Sequence, residues 1–73
     1  MKHKAGSKLR QWREAQRPPM TREQLGERLG CKGLQIYRWE EGGQVASAAN
    51  IHHLQTLGIC TLEDWFLSAE RAA

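Results

Sequence analysis

The chain has 73 residues, of which 40% are hydrophobic, and its formal net charge at pH 7 is +3. This length allows one small domain without a separate small-molecule-binding domain, and the apolar content argues against a disordered chain. The charge is uneven, because residues 1–38 hold ten Lys and Arg against three acids, whereas residues 39–73 hold one Arg against five acids. A basic half is typical of proteins that bind polyanions, although an unevenly charged solvated surface gives the same pattern.

Several classes of protein are disfavoured by what the sequence lacks. Neither a signal peptide nor a run long enough to cross a bilayer is visible, so we expect a cytoplasmic protein with no membrane association. In that compartment Cys31 and Cys60, which fall in different predicted segments, are expected to be free thiols. No Cys-x-x-Cys or His-x-x-x-His spacing occurs and no triad-like context surrounds a Ser or His, so we expect no metal, no other cofactor and no enzymatic activity.

Helical periodicity and capping residues predict the first two helices. The first covers about Ser7 to Gln16, with Ser7 as N-cap, and ends before the two prolines at 18 and 19. The second begins at Thr21, where Thr21 and Gln24 form a capping box. It ends at Gly30, a position suited to positive φ.

Three further helices follow in the second half of the chain. The third is predicted from about Lys32 to Glu41, before two glycines, and the fourth runs from the Ser47 cap to Leu57 with Ile51, Leu54 and Leu57 facing inward. The fifth begins at Thr61 and leads into a polar tail at 68–73. With a basic flexible arm at 1–6, the prediction is a single compact all-α domain of five helices spanning residues 1–73.

The segment from Arg22 to Trp39 has the spacing of two helices joined by a tight turn. Gly26 lies where the second helix must be approached closely, and Gly30 supplies the left-handed turn four residues later. Apolar residues complete the seam between the helices, namely Leu25, Leu29, Cys31, Ile36 and Trp39. Each feature alone is common, but together in this order they favour a helix-turn-helix.

These residues, together with Leu9-Arg10-x-x-Arg13-Glu14 and Leu54-x-x-Leu57-Gly58-Ile59, resemble the Cro/cI-type (XRE-type) helix-turn-helix family. The resemblance covers about residues 9–66. It implies a lambda-repressor-like fold and a prokaryotic or phage-encoded protein that binds double-stranded DNA through the third helix.

The resemblance also implies roles for individual residues. Lys32, Gly33, Leu34 and Arg38 fall where such a recognition helix faces the major groove, and Arg22 falls where a residue contacts phosphate. Arg38 is suited to a bidentate contact with guanine, with Gln35 and Tyr37 in supporting contacts to adenine and to sugar or phosphate. Lys4 and Lys8 are candidates for contacts along the backbone or in the minor groove.

Two departures from the family pattern qualify these roles. Gly33 stands where relatives often place a base-reading polar side chain, so DNA shape, dimer spacing or the basic arm is expected to carry more of the specificity. The connection at Arg17-Pro18-Pro19 is longer than usual, which puts backbone contacts by the first helix in doubt.

Two further groups have predicted structural or assembly roles. The resemblance implies an ion pair between Arg13 and Glu40 that locks the first helix to the third. Trp65, Phe66 and Leu67 are three adjacent large apolar residues that cannot all face one core, which indicates a dimer contact.

We therefore expect a transcriptional regulator, most simply a repressor that binds a pseudo-palindromic operator as a homodimer. One alternative is a protein-interaction module, such as an antitoxin or coactivator-like protein on the same fold. Another is an accessory DNA-binding domain of a larger enzyme such as a recombinase.

Overall fold

A computed structural model describes residues 3–67, and within that range the chain forms four α-helices, one 3₁₀ helix and no strand. The helices are α1 (Lys4–Glu14), α2 (Arg22–Leu29), α3 (Gly33–Glu40), α4 (Ala48–Thr56) and the 3₁₀ helix (Glu63–Phe66). The predicted all-α fold is confirmed, but the predicted fifth helix is only this short 3₁₀ segment. The predicted tail at 68–73 and the first two residues of the predicted arm lie outside the described residues.

The first helix begins three residues earlier than predicted, because His3 and not Ser7 is its N-cap. The Gly6 N–H donates to His3 Nδ1 over 2.9 Å. On the other side of the ring His3 Nε2 lies 2.8 Å from the Gln44 carbonyl oxygen, which can only accept, so Nε2 carries the proton. Residues 4–6, predicted as part of a flexible arm, are therefore helical.

The local signals of the second and third helices are present as predicted. Both halves of the capping box form, with Gln24 N–H donating to Thr21 Oγ1 and Thr21 N–H donating to Gln24 Oε1. Gly30 ends α2 in the left-handed conformation with φ of 76°. The helix α3 begins and ends one residue inside the predicted boundaries, because Lys32 is its N-cap and Glu41 its C-cap.

The core lies between the helices and is centred on two tryptophans. The rings of Trp39 and Trp65 meet edge to face, with centroids 6.0 Å apart, and both side chains are almost fully buried. Apolar side chains from every helix surround them, namely Ala5, Leu9, Leu25, Leu29, Ile36, Ala46, Ile51, Leu54, Ile59 and Cys60. Leu57, predicted to face inward, is 44% exposed, because the chain turns at Gly58 and Ile59 takes the interior position.

The 3₁₀ helix is fixed against α1 by Asp64. The Asp64 carboxylate accepts from the Thr61 N–H at 2.8 Å and from Lys8 Nζ at 2.9 Å. Burial opposes ionisation of Asp64, but the hydrogen bonds from Thr61 and Lys8 outweigh it and lower its pKa. The C-terminal segment is therefore tied to the first helix.

Cys31 and Cys60 are both free thiols. Within residues 3–67 no helix is long and apolar enough to span a bilayer.

Candidate nucleic-acid interface

The α2–turn–α3 unit depends on two glycines with different physical requirements. Gly30 needs the left-handed conformation, and a Cβ at this position would meet no atom within 4 Å. Gly26 needs space, because a Cβ there would lie 2.5 Å from the Cys31 carbonyl oxygen. The close approach at Gly26 is therefore to the backbone of the turn, which holds α3 tightly against α2.

The helix α3 has one buried face and one exposed face. Ile36, Trp39 and Glu40 are buried against the rest of the domain. The opposite side presents Leu34, which is 57% exposed, Tyr37, which is 46% exposed, and the exposed cation Arg38. Lys32 is exposed at the N-cap of the helix. Four of the predicted contact residues are thus accessible on α3 and its N-cap, and we call this set the α3 outer face (Lys32, Leu34, Tyr37 and Arg38).

Gly33, also predicted to face DNA, does not belong to this surface. It is buried beneath the side chain of Glu23, which extends across it from α2. A Cβ on Gly33 would lie 2.5 Å from Glu23 Oε2 and 2.9 Å from Glu23 Cδ. The prediction for Gly33 is wrong because sequence spacing along α3 gave no sign of a side chain arriving from another helix.

Gln35, a supporting contact in the prediction, points along the protein surface. It is half-buried, and its Nε2 donates to the side-chain oxygen of Gln44 at 3.1 Å. Since Gln44 also accepts from His3 through its backbone oxygen, this pair links the first turn of α3 to the residue that precedes α1. A contact between Gln35 and a base would require this hydrogen bond to be given up.

A buried carboxylate, Glu40, anchors α3 to both preceding helices. Arg13 donates to Glu40 through Nε at 2.8 Å and Nη2 at 3.0 Å, so the pair implied by the resemblance is present and bidentate. The hydrogen bonds that Arg13 donates to Glu40 outweigh burial and raise the pKa of Arg13. Arg13 also donates to the Met20 carbonyl at 3.0 Å, which attaches α1 to the segment before α2.

Arg22 is a second cation on the same carboxylate, a contact that was not anticipated. Its Nε donates to Glu40 Oε1 at 3.0 Å, and its Nη2 lies 4.0 Å from Glu41. The guanidinium carbon lies 5.0 Å from the centroid of the Tyr37 ring. Any contact of Arg22 with phosphate would therefore come from a guanidinium already held by Glu40, and no local sequence signal indicated this.

Carboxylates of the domain itself neutralise much of the positive charge of the N-terminal half through ion pairs. Lys8, predicted to contact DNA, pairs with Asp64, and Arg10 pairs with Glu14 and Glu41. The hydrogen bond that Arg10 donates to Glu14 is the main cause of a raised Arg10 pKa. Lys4, the other predicted arm contact, is the first residue of α1 and its N–H donates to the Leu67 carbonyl.

Five cations have no ion pair with any residue in 3–67: Lys4, Arg17, Arg28, Lys32 and Arg38. Two of them, Lys32 and Arg38, belong to the α3 outer face. The charge available to a polyanion is therefore smaller than the sequence total indicates, but it is present on α3.

The predicted dimer contact at Trp65, Phe66 and Leu67 is divided by the structure. Trp65 is 2% exposed and packs against His3 and Trp39, so its assignment to an interface is wrong. Phe66 is 69% exposed and Leu67 41% exposed, with Leu62 of the same segment also half exposed. The side chains of three successive residues in a 3₁₀ segment cannot all face the core, and here only that of Trp65 does.

Among the described residues no group of three His, Cys, Asp or Glu side chains is arranged to hold a metal ion. Comparisons of the chain with protein-family models, with curated proteins and with solved structures found no match.

Proposed function

We propose that this chain is a sequence-specific DNA-binding regulator of the Cro/cI type that places α3 in the major groove. The observation that carries the proposal is the α3 outer face. Leu34, Tyr37 and Arg38 are exposed on one side of a helix whose other side is held by Glu40 and Trp39, and Lys32 is exposed at its N-cap. A rigid helix with exposed donors and an apolar contact is what reading of base edges requires.

Within this proposal the residues of the α3 outer face have different tasks. Arg38 has no ion pair in residues 3–67, so its guanidinium is available for a bidentate contact with the O6 and N7 atoms of guanine. Leu34 offers an apolar contact for a thymine methyl group. Lys32 is placed to neutralise phosphate, and Tyr37, braced by Arg22, to contact the backbone.

A single α3 reads only a few base pairs, so the proposal includes a homodimer on a pseudo-palindromic site. Two recognition helices would then enter successive major grooves about 34 Å apart. The exposed apolar residues Leu62, Phe66 and Leu67 supply a surface for such a contact. The simplest regulatory role for a domain this small is repression by occupying an operator. The protein would then act in the cytoplasm of a prokaryote or under phage control.

The test is selection of binding sites from a random duplex library, followed by gel-shift measurements at several salt concentrations. We expect a single preferred sequence with two related half-sites. Arg38→Gln is expected to lose discrimination at one base pair per half-site. Arg28→Gln is the matched control, because Arg28 is also exposed and unpaired within residues 3–67 but lies on α2. It should lower the affinity for all sequences alike, if it lowers it at all.

Failure of the wild-type protein to enrich any sequence, or to bind any duplex at low salt, would contradict the proposal.

One observation favours a second candidate, a protein-interaction module on the same fold. Lys8, Arg10, Arg13 and Arg22 are all engaged by carboxylates of the domain itself, which reduces the charge available to DNA. Recovery of one stoichiometric protein partner without DNA would favour that candidate.

A further inference from the structure

The side chain of Glu23 occupies the position that a side chain on the first residue of α3 would otherwise take. Glu23 belongs to the first turn of α2, yet its Cγ, Cδ and Oε2 atoms all lie within about 3 Å of where a Gly33 Cβ would be. Gly33 is buried as a result, whereas Glu23 is exposed. The carboxylate thus lies against Gly33 at the start of α3, where the chain neighbours of Gly33, Lys32 and Leu34, are both exposed.

We propose that Glu23 is a specificity-determining residue, whose carboxylate accepts a hydrogen bond from the N4 amino group of a cytosine in the major groove. This inference rests on the proposed function and deepens it, because it names a base that the site selects. The polar group that Gly33 cannot supply at the start of α3 then comes from Glu23 of α2.

The location of Glu23 is well anchored. The residue before it, Arg22, donates to buried Glu40 on α3, and the residue after it, Gln24, closes the capping box with Thr21. The absence of a Cβ on Gly33 gives the Glu23 side chain room to lie across α3. A carboxylate is also electrostatically favoured there by the N-terminal end of the α3 dipole and by the neighbouring Lys32.

The chemistry of a carboxylate distinguishes among the bases. An ionised carboxylate can only accept hydrogen bonds, and in the major groove guanine presents two acceptors and thymine one. Adenine has an N6 donor, but its N7 acceptor lies next to it and would face the second carboxylate oxygen. Cytosine presents a donor without that acceptor, so it is the base that Glu23 fits.

The alternative role of Glu23 is a surface charge that repels phosphate without reading any base. Glu27 provides the matched control, because it is an exposed acid one turn further along α2 and lies away from Gly33. Both residues are exposed, so replacing either carboxylate by an amide removes one negative charge and leaves the core intact.

The experiment is site selection from a random duplex library with wild type, Glu23→Gln, Glu27→Gln and Gly33→Ala, with circular dichroism to verify folding. Affinities are then measured for the selected site and its single-base variants. We expect wild type to prefer cytosine at one position by about tenfold. Glu23→Gln and Gly33→Ala should lose that preference alone, the latter because the new Cβ displaces the carboxylate. Glu27→Gln should keep it.

Two results would overturn the inference, and they are distinguishable. If wild type selects a site and Glu23→Gln selects the same site with a uniformly higher affinity, as Glu27→Gln does, Glu23 is only a repulsive charge and the proposed function stands. If wild type selects no sequence, the proposed function fails and this inference fails with it.

Discussion

Replacing the carboxylate of Glu40 by an amide, in Glu40→Gln, should be among the most destabilising changes that leave side-chain volume unaltered. Glu40 is 2% exposed and accepts three hydrogen bonds from Arg13 and Arg22. The amide loses the charge and turns an N–H₂ group toward guanidinium donors, which leaves Arg13, whose side chain is 11% exposed, without a counter-ion.

The expected loss in free energy of unfolding is about 3 kcal/mol, the lower end of the range for breaking a buried ion pair. The lower end applies because the Arg22 side chain is 32% exposed and can return to water. A chain of this length is stabilised by roughly 4–11 kcal/mol in all. The melting temperature should therefore fall by roughly 12–24 °C.

Thermal and urea unfolding followed by circular dichroism measures the effect, with Glu14→Gln as the control. Glu14 also accepts a hydrogen bond from an arginine, Arg10, but its side chain is 52% exposed. We expect the control to unfold with the wild type. If Glu40→Gln were no less stable than Glu14→Gln, the argument that buried Glu40 holds α1, α2 and α3 together would be refuted.

Three further predictions follow from the geometry. Gly26→Ala should lower the free energy of unfolding by about 2–3 kcal/mol, because the Cys31 carbonyl must move to make room for the new Cβ. Gly30→Ala should lower it by only about 1 kcal/mol, because the new side chain meets no atom and only the left-handed backbone is unfavourable. Equal urea unfolding midpoints for the two variants would contradict this difference. Burial and the nearby Asp64 carboxylate raise the pKa of Cys60 to about 11 from an ordinary 9, so native Cys60 should react with iodoacetamide at pH 8 roughly 100-fold more slowly than in the unfolded chain. Since the native state holds that proton more tightly, stability should fall as the pH rises from about 9 to about 11. Cys60→Ala should make this loss smaller without removing it, because burial also raises the pKa of Cys31. Phe66→Ser should convert a sedimenting dimer to a monomer whose helical circular dichroism spectrum is unchanged, because Phe66 is 69% exposed in the protomer; a monomeric wild type would refute the proposed contact.

Features that depend on residues within about four positions were predictable from the sequence. The Thr21–Gln24 capping box, the Ser47 cap and the left-handed Gly30 are present where the sequence places them. At these positions the chain satisfies its own unpaired N–H and C=O groups locally, whereas the same kind of signal at Ser7 does not mark a helix start. The burial of Ile36 and Trp39 was predictable for the related reason that helical periodicity separates the two sides of α3, whereas the exposed residues Lys32, Leu34 and Arg38 were expected only from the family resemblance.

The errors concern contacts whose partners are distant in sequence. His3 caps α1 while bonded to the Gln44 backbone 41 residues away, so its own neighbourhood could not identify it as a cap. The burial of Trp65 depends on a 3₁₀ segment that turns it toward His3 and Trp39. Local propensity contains no information on either packing arrangement.

The sequence by itself determined a small all-α chain with a helix-turn-helix pattern, and its family resemblance predicted Lys32, Gly33, Leu34 and Arg38 on the groove-facing side of the third helix. Only the tertiary structure decided which cations are paired with carboxylates of the domain and which remain available to bind a polyanion, because ion pairs such as Lys8–Asp64 join residues 56 positions apart. It also brought Glu23 of α2 over Gly33 of α3, since the angle at which two helices pack determines which side chains meet.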